Sequence, residues 1–73
     1  MKLPLGWVRY GTSWYGNEGL GVAVAYETVT TCPKVGAPRG WWCYPEEGAP
    51  YGPEPTLLRA MALAESNAKE RTR

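Results

Sequence analysis

Gly40-Trp41-Trp42-Cys43-Tyr44-Pro45 is the stretch that decides the fold, because it sets two tryptophans side by side in an apparent β-strand. Successive side chains of a strand point to opposite faces of the sheet. The two indole rings therefore cannot both lie beneath the same covering layer. Since the rest of the chain predicts only one helix, we expect one face of the sheet to be left for a partner.

Two more strands are predicted before this stretch. The first covers residues 5–15, with Gly11 marking a bulge. Residues 16–19, Gly-Asn-Glu-Gly, supply the positive φ angles that a tight hairpin needs. The second strand covers residues 20 to about 32, and its larger side chains at even positions, including Val22 and Val24, predict the core face.

The loop at residues 33–40 predicts antiparallel pairing of this strand with a third strand at residues 41–44. In that register Cys32 and Cys43 lie nearly opposite each other. Trp41 then shares the face of Val24, whereas Trp42 and Tyr44 point the other way. The cysteines are expected to be two buried thiols in the cytosol, or a cross-strand disulfide under oxidising conditions.

The C-terminal third predicts a stiff connection and then a helix. Residues 45–55 contain four prolines and two glycines and are expected to carry the chain off the sheet. Pro55 suits the start of a helix, and Leu57, Met61, Ala64 and Ala68 form one apolar stripe along it. We therefore expect a single domain over residues 1–73 of the α+β class, a three-stranded antiparallel sheet followed by one C-terminal helix packed on one face.

The aromatic residues divide into two groups. Trp7, Tyr26 and Trp41 are expected to be ordinary core anchors. A predicted protein-binding surface on the uncovered face consists of Trp42, Tyr44, Trp14, Tyr10, Arg39 and Lys34, a composition typical of interface hot spots. An alternative is that the Pro-rich connection, with Tyr51, folds back and covers these rings.

Composition excludes several classes of function. The net charge of +1 gives neither the basic stripe of a nucleic-acid module nor the acidic density of a duplex mimic. There is no His and no Asp, so we expect no enzyme, no cofactor and no metal site, since two cysteines cannot complete a structural zinc site in one chain. No secretory signal and no membrane span is expected, and we interpret the protein as cytoplasmic.

Residues 55–64, Pro-Thr-Leu-Leu-Arg-Ala-Met-Ala-Leu-Ala, resemble the start of the C-terminal helix of the small phage and prophage family called the phage ABA sandwich domain. In that family a Trp-containing sheet precedes a Pro-initiated, Leu- and Ala-rich helix. The resemblance covers under a quarter of the chain, and this chain lacks the additional helix that the sandwich name implies. It implies a phage or mobile-element origin, which agrees with the bias towards Gly, Ala, Pro and Arg.

These observations favour a non-enzymatic protein-binding module, a phage accessory protein or an inhibitor that occupies the surface of a bacterial partner. Self-association as a homodimer through the same face is the simplest version. The alternative is a single-stranded nucleic-acid binder that stacks bases on exposed Trp and Tyr rings, with Lys34, Arg39 and Arg9 at the phosphates. Sugar binding on the same rings is a third possibility that no feature of the sequence separates from the others.

Overall fold

The protein folds as a five-stranded antiparallel sheet with one C-terminal helix. The computed structural model describes residues 3–28, 30–31, 36 and 38–71. The elements in chain order are β1 (Val8–Gly11), β2 (Trp14–Asn17), β3 (Val22–Glu27), β4 (Gly40–Pro45), β5 (Tyr51–Glu54) and α1 (Leu57–Arg71). Each strand pairs with the next, in the order β1-β2-β3-β4-β5. The α+β class and the single C-terminal helix are confirmed, and the prediction of three strands is wrong.

The predicted first strand is in fact a hairpin. Gly11 pairs with Trp14 across the two-residue turn Thr12-Ser13, and the ladder shifts register between Arg9 and Gly11. Ser13 also accepts a backbone hydrogen bond from Tyr26 at 3.0 Å, which ties the turn to β3. The register shift lies where the bulge at Gly11 is predicted, and a turn follows it directly. Thr and Ser are weaker turn signals than Gly or Asn, so the composition hid the break.

The second additional strand, β5, lies inside the Pro-rich connection. Tyr51 pairs with Cys43 and Glu54 pairs with Trp41, so this segment stays on the sheet as its edge strand. An edge strand tolerates Pro53 because only one of its sides needs hydrogen-bond donors. Tyr51 packs against the core on the helix side. The alternative in which Tyr51 covers the opposite face is therefore wrong.

Helix α1 begins after Thr56, whose hydroxyl accepts a hydrogen bond from the backbone N–H of Arg59 at 3.2 Å. This is the N-cap interaction that satisfies one free donor of the first turn. The helix contacts β3, β4 and β5. The predicted stripe is buried at Met61, Ala64 and Ala68, and Ala60 is buried beside it.

The N-terminal segment completes the core on the same side of the sheet as the helix. Trp7 is buried and packs in one cluster with Val22, Val24, Cys43, Ala60, Met61 and Ala64. Its indole Nε1 donates a hydrogen bond to Glu65 of α1 at 2.9 Å. The expectation that Trp7 anchors the core is confirmed.

The register between β3 and β4 decides which residues share a face. Val24 lies opposite Cys43, Ala25 opposite Trp42 and Tyr26 opposite Trp41. The neighbour of Cys43 on β3 is therefore Val24 and not Cys32, so the predicted register is wrong. Cys32 itself lies outside the described residues. The predicted separation of faces still holds. Trp41 packs partly buried on the helix side, its ring 5.5 Å from that of Tyr26.

Candidate functional site

The face of the sheet opposite α1, called the second face below, has small residues in its middle and aromatic residues on both sides. One cross-strand row consists of Trp14, Ala25 and Trp42, and the next consists of Gly16, Ala23 and Tyr44. The central strand β3 therefore presents only methyl groups to this face over two rows. The second face is a trough along β3 with aromatic walls.

Trp42 lies on the second face as predicted, but the prediction that its ring is exposed is wrong. The side chain is 0% exposed. The Tyr44 hydroxyl donates a hydrogen bond to the carboxylate of Glu27. Tyr44 stands opposite Ala23 and Glu27 opposite Gly40, so this bridge spans the intervening pair of Ala25 and Trp42. Trp42 is therefore a structural residue rather than a docking residue.

The indole N–H of Trp42 has no hydrogen-bond partner among the described residues. On the side of β5 the strand approaches the ring closely, since a Cβ placed on Gly52 would lie 3.6 Å from Cδ2 of Trp42. A buried donor without an acceptor costs roughly 1 to 3 kcal/mol. Burial of the large Trp42 ring therefore stabilises the fold, and its unpaired N–H partly offsets that stabilisation.

The opposite wall of the trough is exposed. Trp14 is 53% and Tyr10 44% exposed, and their rings meet edge to face with centroids 5.2 Å apart. Tyr10 folds over Gly16, where an added Cβ would lie 2.2 Å from Cε2 of the Tyr10 ring. Only glycine at position 16 leaves room for this arrangement. Two of the predicted site residues, Tyr10 and Trp14, therefore form one exposed aromatic unit.

A concavity of about 380 Å³ opens at the end of the trough next to the turn between β2 and β3. Ala23 lies on its floor, and its sides are formed by Tyr44 and by Tyr10, which packs over Gly16. Its rim carries two carboxylates. They belong to the residues Glu18 and Glu46.

The Tyr10 hydroxyl and Glu18 belong to one polar group. The hydroxyl donates to Oε1 of Glu18 at 3.4 Å, which is a long hydrogen bond. Desolvation, followed by the negative charge of Glu18 and this hydrogen bond, raises the pKa of Tyr10 above its ordinary value of 10.0. The hydroxyl therefore stays a neutral donor at physiological pH.

The predicted surface also includes two basic residues, Arg39 and Lys34. Arg39 is exposed in the connection before β4, and Lys34 lies outside the described residues. Arg9, the other cation considered for phosphate contacts, pairs with Tyr15, whose ring packs on the helix side. Its register position is therefore on the opposite face from Trp14. Among the described residues that line the concavity with Tyr10, the charged ones are Glu18 and Glu46.

Cys43 is buried beneath the helix, and its thiol donates a hydrogen bond to the carbonyl of Ala60 at 3.4 Å. Burial, and then the charge of Glu54, raises the pKa of Cys43 from 9.0 to about 11, against the opposing effect of a hydrogen bond with Tyr51. A protonated, inaccessible thiol is a poor nucleophile and a poor metal ligand. Within the part of the chain that the structure describes, no group of three or more His, Cys, Asp or Glu side chains is placed to hold a metal ion.

The sequence did not indicate Glu18 and Glu46 as site residues, since they lie in the predicted hairpin of residues 16–19 and in the predicted connection of residues 45–55. The sequence did contain a signal for these two residues. Each of them flanks a turn, the two turns lie at the same end of the sheet, and the strands beside them carry Gly and Ala at middle positions. Without the register, however, the two turns could not be placed beside each other.

Among the described residues, no helix is both long enough and apolar enough to cross a membrane. The chain matches no protein-family model, no curated protein and no solved structure.

Proposed function

We propose that the protein is a non-enzymatic binding module that docks a partner protein on the second face of its sheet. The observation that carries this proposal is the exposed edge-to-face pair of Tyr10 and Trp14. Large aromatic rings at half exposure are typical of interface residues, since they offer much contact area at little conformational cost. Because α1 and the N-terminal segment pack on the other side, the pair is free to meet a partner.

The chemistry of the chain supports a binding role rather than catalysis. The buried thiol of Cys43 is held protonated, and the sequence offers no His or Asp for acid and base steps. We further propose that the protein acts in a bacterial cytoplasm as a phage or mobile-element accessory protein or inhibitor. This part rests on composition and on the helix resemblance.

The homodimer version of the proposal is the weaker one on grounds of charge. A twofold interface brings the same patch of both copies together. The second face carries Glu18, Glu27 and Glu46, so a symmetric contact here would place carboxylates near carboxylates. Like charges across an interface disfavour association. A different protein is therefore the better partner.

Single-stranded nucleic acid fits the second face less well for the same reason. Bases could stack on Trp14 and Tyr10, but phosphates would meet the carboxylates of Glu18 and Glu46, while Arg9 lies on the other face. Binding to phosphates weakens steeply with salt. A salt titration of any nucleic-acid binding, which we expect to be weak, therefore separates the two functions.

The test is a comparison of matched variants. Four proteins are immobilised and incubated with bacterial lysate: wild type, Trp14→Ala, Tyr10→Ala and the control Leu58→Ala. The control removes an exposed apolar residue of α1. Captured proteins are then purified and their affinities measured by calorimetry. We expect a partner that Leu58→Ala retains and that the two aromatic variants bind about 30-fold less tightly, the effect of losing roughly 2 kcal/mol at a hot spot. A purified partner that binds Trp14→Ala as well as wild type would refute the proposal.

A further inference from the structure

The concavity at the end of the trough has the size of a side-chain pocket. Its volume of about 380 Å³ is at the lower end of the roughly 300 to 1,000 Å³ of small-molecule sites. Its floor is the methyl group of Ala23, and the Tyr44 hydroxyl is directed away from this floor towards Glu27. One side chain of an incoming polypeptide fits such a space.

The rim of the concavity is negatively charged. The carboxylate of Glu46 lies over Gly21, where a Cβ would come within 2.7 Å of Oε2, and the Glu46 backbone N–H donates to Gly21 at 2.7 Å. The carboxylate of Glu18, on the other side of the same turn, meets the hydroxyl of Tyr10. No lysine or arginine is among the described residues that line the concavity. Among the described residues that line the concavity, the charged side chains are therefore both negative.

The tyrosine rings at the sides of the concavity also favour a positively charged ligand. The faces of Tyr rings attract cations, by about 0.5 to 2 kcal/mol depending on exposure. Carboxylates accept charge-assisted hydrogen bonds, and a guanidinium group can engage one of them with two parallel N–H donors. Two Tyr rings and two carboxylates around a methyl-lined floor form a setting for a positively charged group on an apolar stem.

We infer that this concavity binds an arginine or lysine side chain of the partner protein. The inference rests on the proposed docking role of the second face and specifies the chemistry of its partner. The stem of the cationic residue lies between Tyr10 and Tyr44 over Ala23, and its head reaches Glu18 and Glu46. The partner surface is accordingly basic at the point that meets the turn between β2 and β3.

A direct test uses short peptides as probes and nuclear magnetic resonance of the ¹⁵N-labelled full chain. Acetyl-Gly-Arg-Gly-amide is titrated against acetyl-Gly-citrulline-Gly-amide, which has nearly the same shape and no charge. We expect the arginine peptide to shift the amide signals of Gly16, Glu18 and Ala23, with an affinity that falls as NaCl is raised, and the citrulline peptide to cause no comparable shift. Equal shifts with both peptides, or no shift with the arginine peptide at millimolar concentration, would overturn the inference.

Charge-removing variants provide the second arm. Glu18→Gln combined with Glu46→Gln is expected to weaken binding of the arginine peptide about tenfold, because each charge-assisted contact at an exposed site contributes a few-fold. Both residues are exposed, so the variant is expected to fold. The control is Glu70→Gln, which removes one charge from the exposed side of α1, is compared with Glu18→Gln and Glu46→Gln as single variants, and is expected to leave binding unchanged. A control that weakens binding as much as the double variant would show a general effect of net charge and would overturn the inference.

Binding measurements with a purified partner distinguish an error in this inference from an error in the proposed docking function. Trp14 lies outside the concavity, so Trp14→Ala tests the second face alone. If Trp14→Ala abolishes partner binding and the Glu18 and Glu46 variant does not, the cation site is refuted and the docking function stands. If neither variant affects partner binding, both are refuted.

Discussion

Replacing Trp42 with Ala is expected to destabilise the protein severely, because the ring is completely buried although it lies on the face opposite the helix. A large aromatic side chain buries roughly 150 to 250 Å². At about 25 cal/mol per Å² this corresponds to roughly 4 to 6 kcal/mol, and measured Trp→Ala substitutions in cores cost about 3 to 5 kcal/mol. The whole domain is expected to have a free energy of unfolding of only about 4 to 11 kcal/mol at its length.

Two further variants make the expectation specific. Trp14→Ala, at 53% exposure in the same cross-strand row, is expected to cost about 1 kcal/mol or less, as most surface substitutions do. Trp42→Phe leaves a smaller ring but removes the unpartnered N–H, whose burial costs roughly 1 to 3 kcal/mol. The two effects of Trp42→Phe oppose each other, so its net cost is expected to be small compared with that of Trp42→Ala.

The assay is urea unfolding followed by far-ultraviolet circular dichroism, since each substitution removes a fluorescent reporter. Midpoints are compared at a common slope, because a changed slope would signal an altered unfolded state or a loss of two-state behaviour. The reasoning is refuted if Trp14→Ala lowers stability as much as Trp42→Ala. It is also refuted if Trp42→Phe is as damaging as Trp42→Ala, since the N–H would then be making a favourable contact.

Three other expectations concern the helix side. Glu65→Ala is expected to lower the free energy of unfolding by about 1 to 3 kcal/mol, because it leaves the buried Trp7 donor unpaired; thermal melting tests this, with Glu65→Gln as a control that keeps an acceptor, and equal melting of both variants would contradict it. Thr56→Ala is expected to cost about 1 kcal/mol through loss of the helix cap, and Thr56→Ser, which keeps a hydroxyl, should restore most of it in the same melting experiment. The native thiol of Cys43 holds its proton up to about pH 11, against 9.0 ordinarily, so the native state binds the proton more tightly and stability is expected to fall as pH rises through this range, by up to about 3 kcal/mol. Urea unfolding at several pH values should show that the free energy of unfolding declines less steeply with pH for Cys43→Ala than for wild type. Identical declines for the two proteins would contradict a raised pKa of the buried thiol.

The helix could be predicted from the sequence because its determinants are local. Pro55 as a start signal and a stripe of Met61, Ala64 and Ala68 at helical spacing suffice. The alternation of faces along β4 was equally accessible, since it follows from pleat geometry alone. What failed were the inferences that needed pairing partners. A strand can have ordinary alternation and still pair in any of several registers.

The two missed strands show how local composition misleads. In β5, proline at position 53 reads as a loop, yet it is tolerated because the strand lies at the edge of the sheet. The turn at Thr12-Ser13 lacks glycine, so β1 and β2 read as one long strand. In both cases the sheet supplies hydrogen-bond partners that override a weak local preference.

The error over Trp42 has a physical lesson for small sheets. The sequence argument assumed that only a second layer can bury a ring on an open face. On β4 the burial comes instead from the strand neighbourhood, with Gly52 on one side and the bridge between Tyr44 and Glu27 on the other. β2 also has a strand on each side, but Trp14 is its first residue, opposite Gly11 beside the turn at Thr12-Ser13, and its ring is 53% exposed. The immediate neighbours of each ring therefore decide which of the two is structural.

The same bridge links the structural half of the second face to the proposed binding half. The hydrogen bond from Tyr44 on β4 to Glu27 on β3 spans the pair of Ala25 and Trp42 and directs the Tyr44 hydroxyl away from Ala23. Tyr44→Phe would break the bridge while keeping the ring, so it would lower stability and also alter the concavity through one side chain. If the concavity binds a cation, this substitution should weaken both properties together, whereas Glu18→Gln should weaken binding alone. Stability and recognition on this face are thus coupled at Tyr44 and separable at the rim.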